Sequence, residues 1–221
     1  MNPKRAFRVG LTYEFGRYPQ GLIDKRRVRR EQRESGGAAA SEAEESYALK
    51  PIRWIIAEVD IEKRQALLIA KKGLDCRPCH GEAAYPGWEA SELRRWLNDG
   101  FLRAAFSPEE ISRLLPTGAG GNGSLSGGEG AEGDRVFILG REEALRYLPA
   151  IDERSCELTA YAFSRGGYCD GQGHCCWWLR TAPEGAENEG KCGVISYGGG
   201  VYAMPADFAH NCVRPAVRIV Y

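Results

Sequence analysis

Net charge is the first thing this chain lacks: 30 Lys and Arg are matched by 30 Asp and Glu over 221 residues. That balance excludes the basic footprint of a nucleic-acid-binding domain and the polybasic face of a membrane-surface protein. Long apolar runs are missing as well. The opening stretch Met1-Asn2-Pro3-Lys4-Arg5-Ala6-Phe7-Arg8 has no signal-peptide core, and no later run is long enough for a bilayer. A cytoplasmic protein without nucleic-acid or membrane partners is the expectation. Histidine is scarce, with only His80, His174 and His210, and none sits in a hydrolase motif. Gly198-Gly199-Gly200 lacks the Lys-Ser/Thr of a phosphate loop, so it reads as a hairpin turn. Chemistry is thin here, and the chain reads as non-catalytic and free of cofactors.

What the chain does have is cysteine, eight of them. The even number fits disulfides, but a cytoplasmic chain with this much apolar content needs no staples, so thiols are expected. Cys76-Arg77-Pro78-Cys79-His80 has the haem-attachment spacing, yet it stands alone and without an export leader. Cys76, Cys79, His80, Cys169, His174, Cys175, Cys176, Cys192 and Cys212 offer soft metal ligands. Structural zinc wants two paired knuckles. Only residues 76–80 form a clean one, because the spacing from Cys169 to Cys176 is irregular. Buried or half-exposed free thiols are the simpler reading.

Along the chain, Phe7 to Gly16 reads as an opening strand. Residues 24–46 set a basic block against an acidic one and bury nothing, which predicts a surface insertion. Ile52 to Val59 and Ala66 to Ala70 flank a charged turn and predict an antiparallel hairpin. Leu93, Trp96 and Leu97 follow Ser91 at helical spacing. Ser107-Pro108-Glu109-Glu110 is a capping box, with Ile111, Leu114 and Leu115 as the buried stripe of its helix. Residues 117–133 are mostly Gly, Ser, Asn and Glu, a second flexible insertion. Val136 to Leu139 predicts a short strand and Arg141 to Leu148 a short helix. The adjacent Trp177 and Trp178 must point to opposite faces of one strand, which therefore needs cover on both sides.

Eight phrases in order carry a family resemblance. They are Phe15-Gly16-Arg17-Tyr18-Pro19-Gln20, Pro51-Ile52-Arg53-Trp54, Ala66-Leu67-Leu68-Ile69, Leu74-Asp75-Cys76-Arg77-Pro78, the stretch Trp88 to Asn98, Asp134 to Leu139, Trp177-Trp178-Leu179-Arg180 and Val213-Arg214-Pro215-Ala216. Together they resemble an uncharacterised domain of gut bacteria and their phages. That family is in turn similar to the C-type-lectin-like fold, in the branch of formylglycine-generating enzymes and retroelement-diversified phage receptors. The resemblance implies one α+β domain over residues 1–221, with a mixed, mainly antiparallel sheet, two or three helices and long loops. It implies that the first and last strands pair. It also allows a phage particle as the location, and it implies a ligand surface between Arg180 and Val213.

The candidate ligand-binding residues are Trp178, Arg180, Glu187, Asn188, Tyr197, Tyr202, Asp207, Phe208, His210 and Asn211. Tyr and Asn make large or adaptable contacts at low entropic cost. A hairpin pairing of Tyr197 with Tyr202 is the purely structural alternative. The function expected is recognition of a protein or glycan, with loops that could be retroelement-diversified. The alternative is a thiol-dependent metalloenzyme similar to formylglycine-generating oxidases, or a zinc-stabilised domain, built on the cluster Cys169–Cys176; soft thiolates suit Cu(I). The ligand and the oligomeric state are not legible.

Overall fold

The computed structural model describes residues 7–21, 47–117 and 133–221. The insertion expected at 24–46, and all but the ends of that expected at 117–133, lie outside the described residues. The rest is mixed α+β with mainly antiparallel sheets. In chain order come β1 (Thr12–Pro19), β2 (Leu49–Asp60), β3 (Gln65–Ala70) and β4 (Asp75–Cys76). Then α1 (Glu92–Trp96) runs through a π-helical turn (Leu97–Phe101) into α2 (Leu102–Ala105), followed by α3 (Pro108–Ser112). Short elements follow: β5 (Leu114–Leu115), β6 (Val136–Phe137), α4 (Arg141–Tyr147), α5 (Ile151–Arg154), β7 (Cys156–Glu157) and α6 (Ala160–Ser164). The last third holds β8 (His174–Cys175), β9 (Trp177–Leu179), β10 (Cys192–Ile195), β11 (Val201–Met204), β12 (Cys212–Val213) and β13 (Ala216–Val220). The helices are thus short and more numerous than the two or three expected.

One sheet runs β1-β2-β3-β13-β5, with β6 also on β13; a second runs β11-β10-β9-β12-β4. Within the second, β12 and β9 are parallel. The expected pairing of first and last strands is corrected: β2 and β3 lie between β1 and β13. The ends meet by curling instead. Phe7 stacks on Tyr221 with ring centroids 3.9 Å apart, and Arg113 donates to the Tyr13 hydroxyl while its carbonyl accepts from Val220.

Local chemistry explains the helix starts. Ser91 accepts from the Arg94 amide, and Ser107 with Glu110 forms a reciprocal capping box with Pro108 in the first turn. The second helix stops earlier than its apolar spacing suggested. Leu114 and Leu115 form β5 and pair with Ile219 and Arg218 of β13. The i, i+3, i+4 spacing of Ile111, Leu114 and Leu115 is satisfied equally by a helix and by a strand begun after Ser112.

Both indoles of the Trp177-Trp178 pair are fully buried. Ile195 lies opposite Trp177 and Val194 opposite Trp178 in β10. Trp177 Nε1 donates to the Arg154 carbonyl and Trp178 Nε1 to that of Arg77, both at 2.9 Å. Each ring thus fills one side of β9 without an orphaned N–H.

Between β12 and β13 the chain leaves one sheet for the other at Arg214-Pro215. Arg214 is buried there, its guanidinium 4.9 Å from the Trp177 ring centroid. Its Nε donates to Ala70 at 2.9 Å, and Nη1 reaches the Glu153 and Arg154 carbonyls at 3.4 Å. One cation therefore ties β3, α5 and β9 together at the crossing.

Candidate recognition surface

Two loops, one leading into the small β7–β8 pair and one joining two strands of the second sheet, carry a cluster of half-buried aromatic rings. Residues 165–173 link α6 to β8, and residues 205–211 link β11 to β12. Tyr168 from the first loop stacks on His210 from the second, centroids 4.0 Å apart and planes 7° from parallel. Phe208 meets the same imidazole edge-on at 5.3 Å. All three rings are half-buried. The platform is held by backbone: the Tyr168 amide donates to the His210 carbonyl, and His210 Nδ1 lies 2.7 Å from the Gly166 carbonyl. A carbonyl only accepts, so Nδ1 carries the hydrogen, and Nε2 of the neutral ring is left as its acceptor.

Asp170 fixes the rest of the first loop. Its Oδ1 accepts from the amides of Gln172 and His174, and its Oδ2 lies 3.2 Å from His174 Nδ1. Partial burial works against the charge, but these amides and the imidazole outweigh it and hold the carboxyl below its usual range. His174 also borders a cavity of about 390 Å³ whose lining includes Arg53, Lys71, Lys72 and Glu157. Lys72 and Glu157 pair across it at 2.9 Å.

The sequence-derived residues divide by burial. Glu187, Asp207 and Tyr202 are exposed, the last by 59%. Asn188, Tyr197, Phe208 and His210 are half-buried. Trp178, Arg180 and Asn211 are inside. Arg180 donates to the Ile138 carbonyl at 2.6 Å and pairs with Glu143 at 2.8 Å. Asn211 Nδ2 contacts Met204 Sδ at 3.6 Å, which brings the end of β11 against the second loop. Tyr197 and Tyr202 do not face each other. The register sets Tyr202 opposite Val194, and Tyr197 lies in the turn. That turn is fastened down, since Ser155 donates to the Tyr197 carbonyl and Arg154 Nε to that of Gly199. Gly199 takes φ +79° with the Ile151 carbonyl in the space of a side chain, so only glycine fits. Sequence reasoning missed Tyr168, a lone aromatic among glycines with no periodic signal.

No two cysteine sulfurs are within bonding distance in this structure, and all eight are buried except the half-buried Cys176. Cys169 lies opposite Cys175 in an isolated bridge. Strand register also brings Cys156 opposite Cys175 and Cys212 opposite Cys76. Hydrogen bonding joins the latter four into a row, Cys156 to Cys175 to Cys212 to Cys76. Burial disfavours a thiolate at Cys175, but hydrogen bonds with Cys156 and Cys212, and the Arg214 guanidinium, hold it below the ordinary thiol range. Hydrogen bonding to Cys175 and Cys76, with burial, pushes Cys212 up. Cys176 turns away towards Tyr197. Among the described residues, no three His, Cys, Asp or Glu side chains converge to hold a metal. The haem-like spacing is likewise divided. Cys76 Sγ donates to the Ala209 carbonyl, whereas Cys79 Sγ faces Cys192. No helix among the described residues is long and apolar enough to cross a membrane.

Residues 63–220 match a protein family described as a domain of unknown function, DUF6273, and the chain belongs to that family. No curated protein and no solved structure matches.

Proposed function

We propose that this member of the DUF6273 family is a non-catalytic recognition domain of C-type-lectin-like architecture, in the bacterial and phage setting that the sequence phrases suggest. Its ligand surface is formed by the loops between Arg180 and Val213 together with residues 165–173. The observation that carries this reading is the half-exposed stack of Tyr168 on His210 with Phe208 edge-on. Loops fixed on a rigid sheet are where recognition residues usually sit.

Of the two ligand classes, protein and glycan, a saccharide suits the chemistry better. Flat rings accept the apolar face of a sugar. The exposed Asp207 and the His210 Nε2 acceptor lie in the same loop to take hydroxyl hydrogens. Trp178, Arg180 and Asn211 are buried, so in this reading they serve the frame and do not touch the ligand.

A glycan array probed with the purified domain, followed by titration calorimetry on any glycan bound, tests the reading. Tyr168→Ala and Phe208→Ala are expected to weaken binding at least tenfold while moving the Tm by only a few degrees. An array with no bound glycan, or binding that both variants retain, would overturn it.

A further inference from the structure

The row of four thiols has a counterpart elsewhere: an isolated pair of cysteines from distant parts of the chain. Cys79 Sγ and Cys192 Sγ lie 2.8 Å apart, both residues wholly buried and separated by 113 positions in sequence. That distance is short for two sulfur atoms with no bond between them and not far above the about 2.05 Å of a disulfide.

Neither side chain arrives there by chance of rotamer. The Cys79 amide donates to the Ala206 carbonyl at 2.8 Å and its carbonyl accepts from Leu93 at 3.1 Å, so its backbone is pinned on both sides. Cys192 is held in β10 opposite Met204 of β11. Each of the two middle cysteines in the row has two sulfur neighbours, whereas each sulfur of this pair has the other as its one sulfur neighbour among the described residues, with the Tyr85 phenol alongside and the Leu179 carbonyl 3.2 Å from Cys192 Sγ.

We infer that Cys79 and Cys192 form a disulfide that fastens residues 77–91 onto the β9–β10 side of the second sheet. That stretch has no strand or helix of its own. The bond holds it where regular hydrogen bonding is sparse.

The chemistry balances with a small-molecule disulfide of the glutathione type as oxidant. One cysteine thiolate attacks the oxidant, its S–S bond breaks, and a mixed disulfide and one small thiolate result. The second cysteine displaces the remaining small thiol, and the Sγ–Sγ bond forms. Two electrons pass to the oxidant, which leaves as two thiols carrying the two protons. Because both sulfurs are buried in the folded domain, oxidation occurs during folding, before β10 is covered, and later reduction is slow.

Refolding the denatured, reduced chain in a mixture of oxidised and reduced glutathione tests this. The product is alkylated in denaturant, digested and mapped by mass spectrometry. A peptide pair joined through Cys79 and Cys192 is expected. The Tm of that product should fall by several degrees on reduction, and the double variant C79A/C192A should lose this sensitivity. The mapping needs only the native chain, so a variant that fails to fold does not affect it. Recovery of Cys79 and Cys192 as alkylated thiols from the folded product, or Cys192 joined to another cysteine, would overturn the inference.

Discussion

Removing the Asp134 carboxylate is the sharpest test of how the helices are held to the curled sheet. Asp134 is 4% exposed. Its Oδ2 accepts from Trp88 Nε1 at 2.7 Å, and its Oδ1 from Arg94 Nε at 2.6 Å and Asn98 Nδ2 at 3.3 Å. Asp134→Ala strands these three donors unequally. Asn98 keeps the Arg94 and Val136 carbonyls. Arg94 keeps the Glu89 carbonyl and can be rehydrated, since a quarter of its side chain is exposed. The Trp88 N–H, on a residue only 8% exposed, has no substitute.

An orphaned buried donor costs about 1–3 kcal/mol, and losing one partner of a largely buried ion pair adds about 1–2 kcal/mol once Arg94 is rehydrated. The sum is about 3 kcal/mol, a large part of the roughly 5–15 kcal/mol that holds a domain folded. Asp134→Asn keeps an acceptor for Trp88 and should cost about half as much. Urea unfolding reads both, as a lower midpoint with unchanged slope. Trp88→Phe removes the stranded donor itself, so the double variant should recover about 1 kcal/mol or more of the summed losses. A cost under about 1 kcal/mol for Asp134→Ala, or strict additivity in the cycle, would refute the assignment of Asp134 as the hub.

Two further outcomes follow from packing and charge. A Cβ at Gly73 would come within 2.8 Å of Cys212 Cβ and 3.1 Å of Cys175 Sγ. Gly73→Ala should therefore cost about 1–3 kcal/mol by thermal or urea unfolding, and a neutral effect would mean the thiol row has slack. Asp170 has a lowered folded pKa, so its stabilisation is present above the unfolded carboxylate value of about 3.9 and is lost as pH falls through the folded value. Amide exchange at Gln172 and His174 should accelerate across that acidic window in the native domain and already be fast at neutral pH in Asp170→Ala; pH-independent protection would contradict the linkage.

What was legible in the sequence was local. The Ser91 and Ser107 caps depend on residues three positions apart, and the hairpin of β2 and β3 on one charged turn. The burial of Trp177 and Trp178 followed from strand alternation alone. What failed was non-local. Whether Leu114 and Leu115 extend a helix or pair with β13 is decided by a strand about a hundred residues later. The placing of β2 and β3 between β1 and β13 depends on curvature that no short window encodes. The same holds for the candidate site. Phe208 and His210 could be singled out as aromatic loop residues, but their partner Tyr168 lies on another loop and reaches them only through the fold.

Several of the phrases singled out in the sequence turn out to be places where buried polar groups close the architecture. Arg214 in the Val213-Arg214-Pro215-Ala216 phrase ties two sheets where the chain crosses between them. Arg180 at the end of the double-tryptophan phrase docks α4 through Glu143 and caps Ile138. Tyr18 and Asp75, from two other phrases, share a 2.5 Å hydrogen bond in which burial, then the adjacent carboxylate, pushes the phenol's pKa up. Asp134 and the Trp88–Asn98 stretch form the hub described above. A buried polar group without its partner is costly, so each of these residues constrains its partner's identity far along the chain. The loops at residues 165–173 and 205–211 carry the half-exposed rings outside every one of these phrases. Buried Cys169, Ala206 and Asn211 anchor those loops while the half-buried rings of Tyr168, Phe208 and His210 stand outside the closed frame, so replacing the rings should spare the fold, as the proposed reading requires.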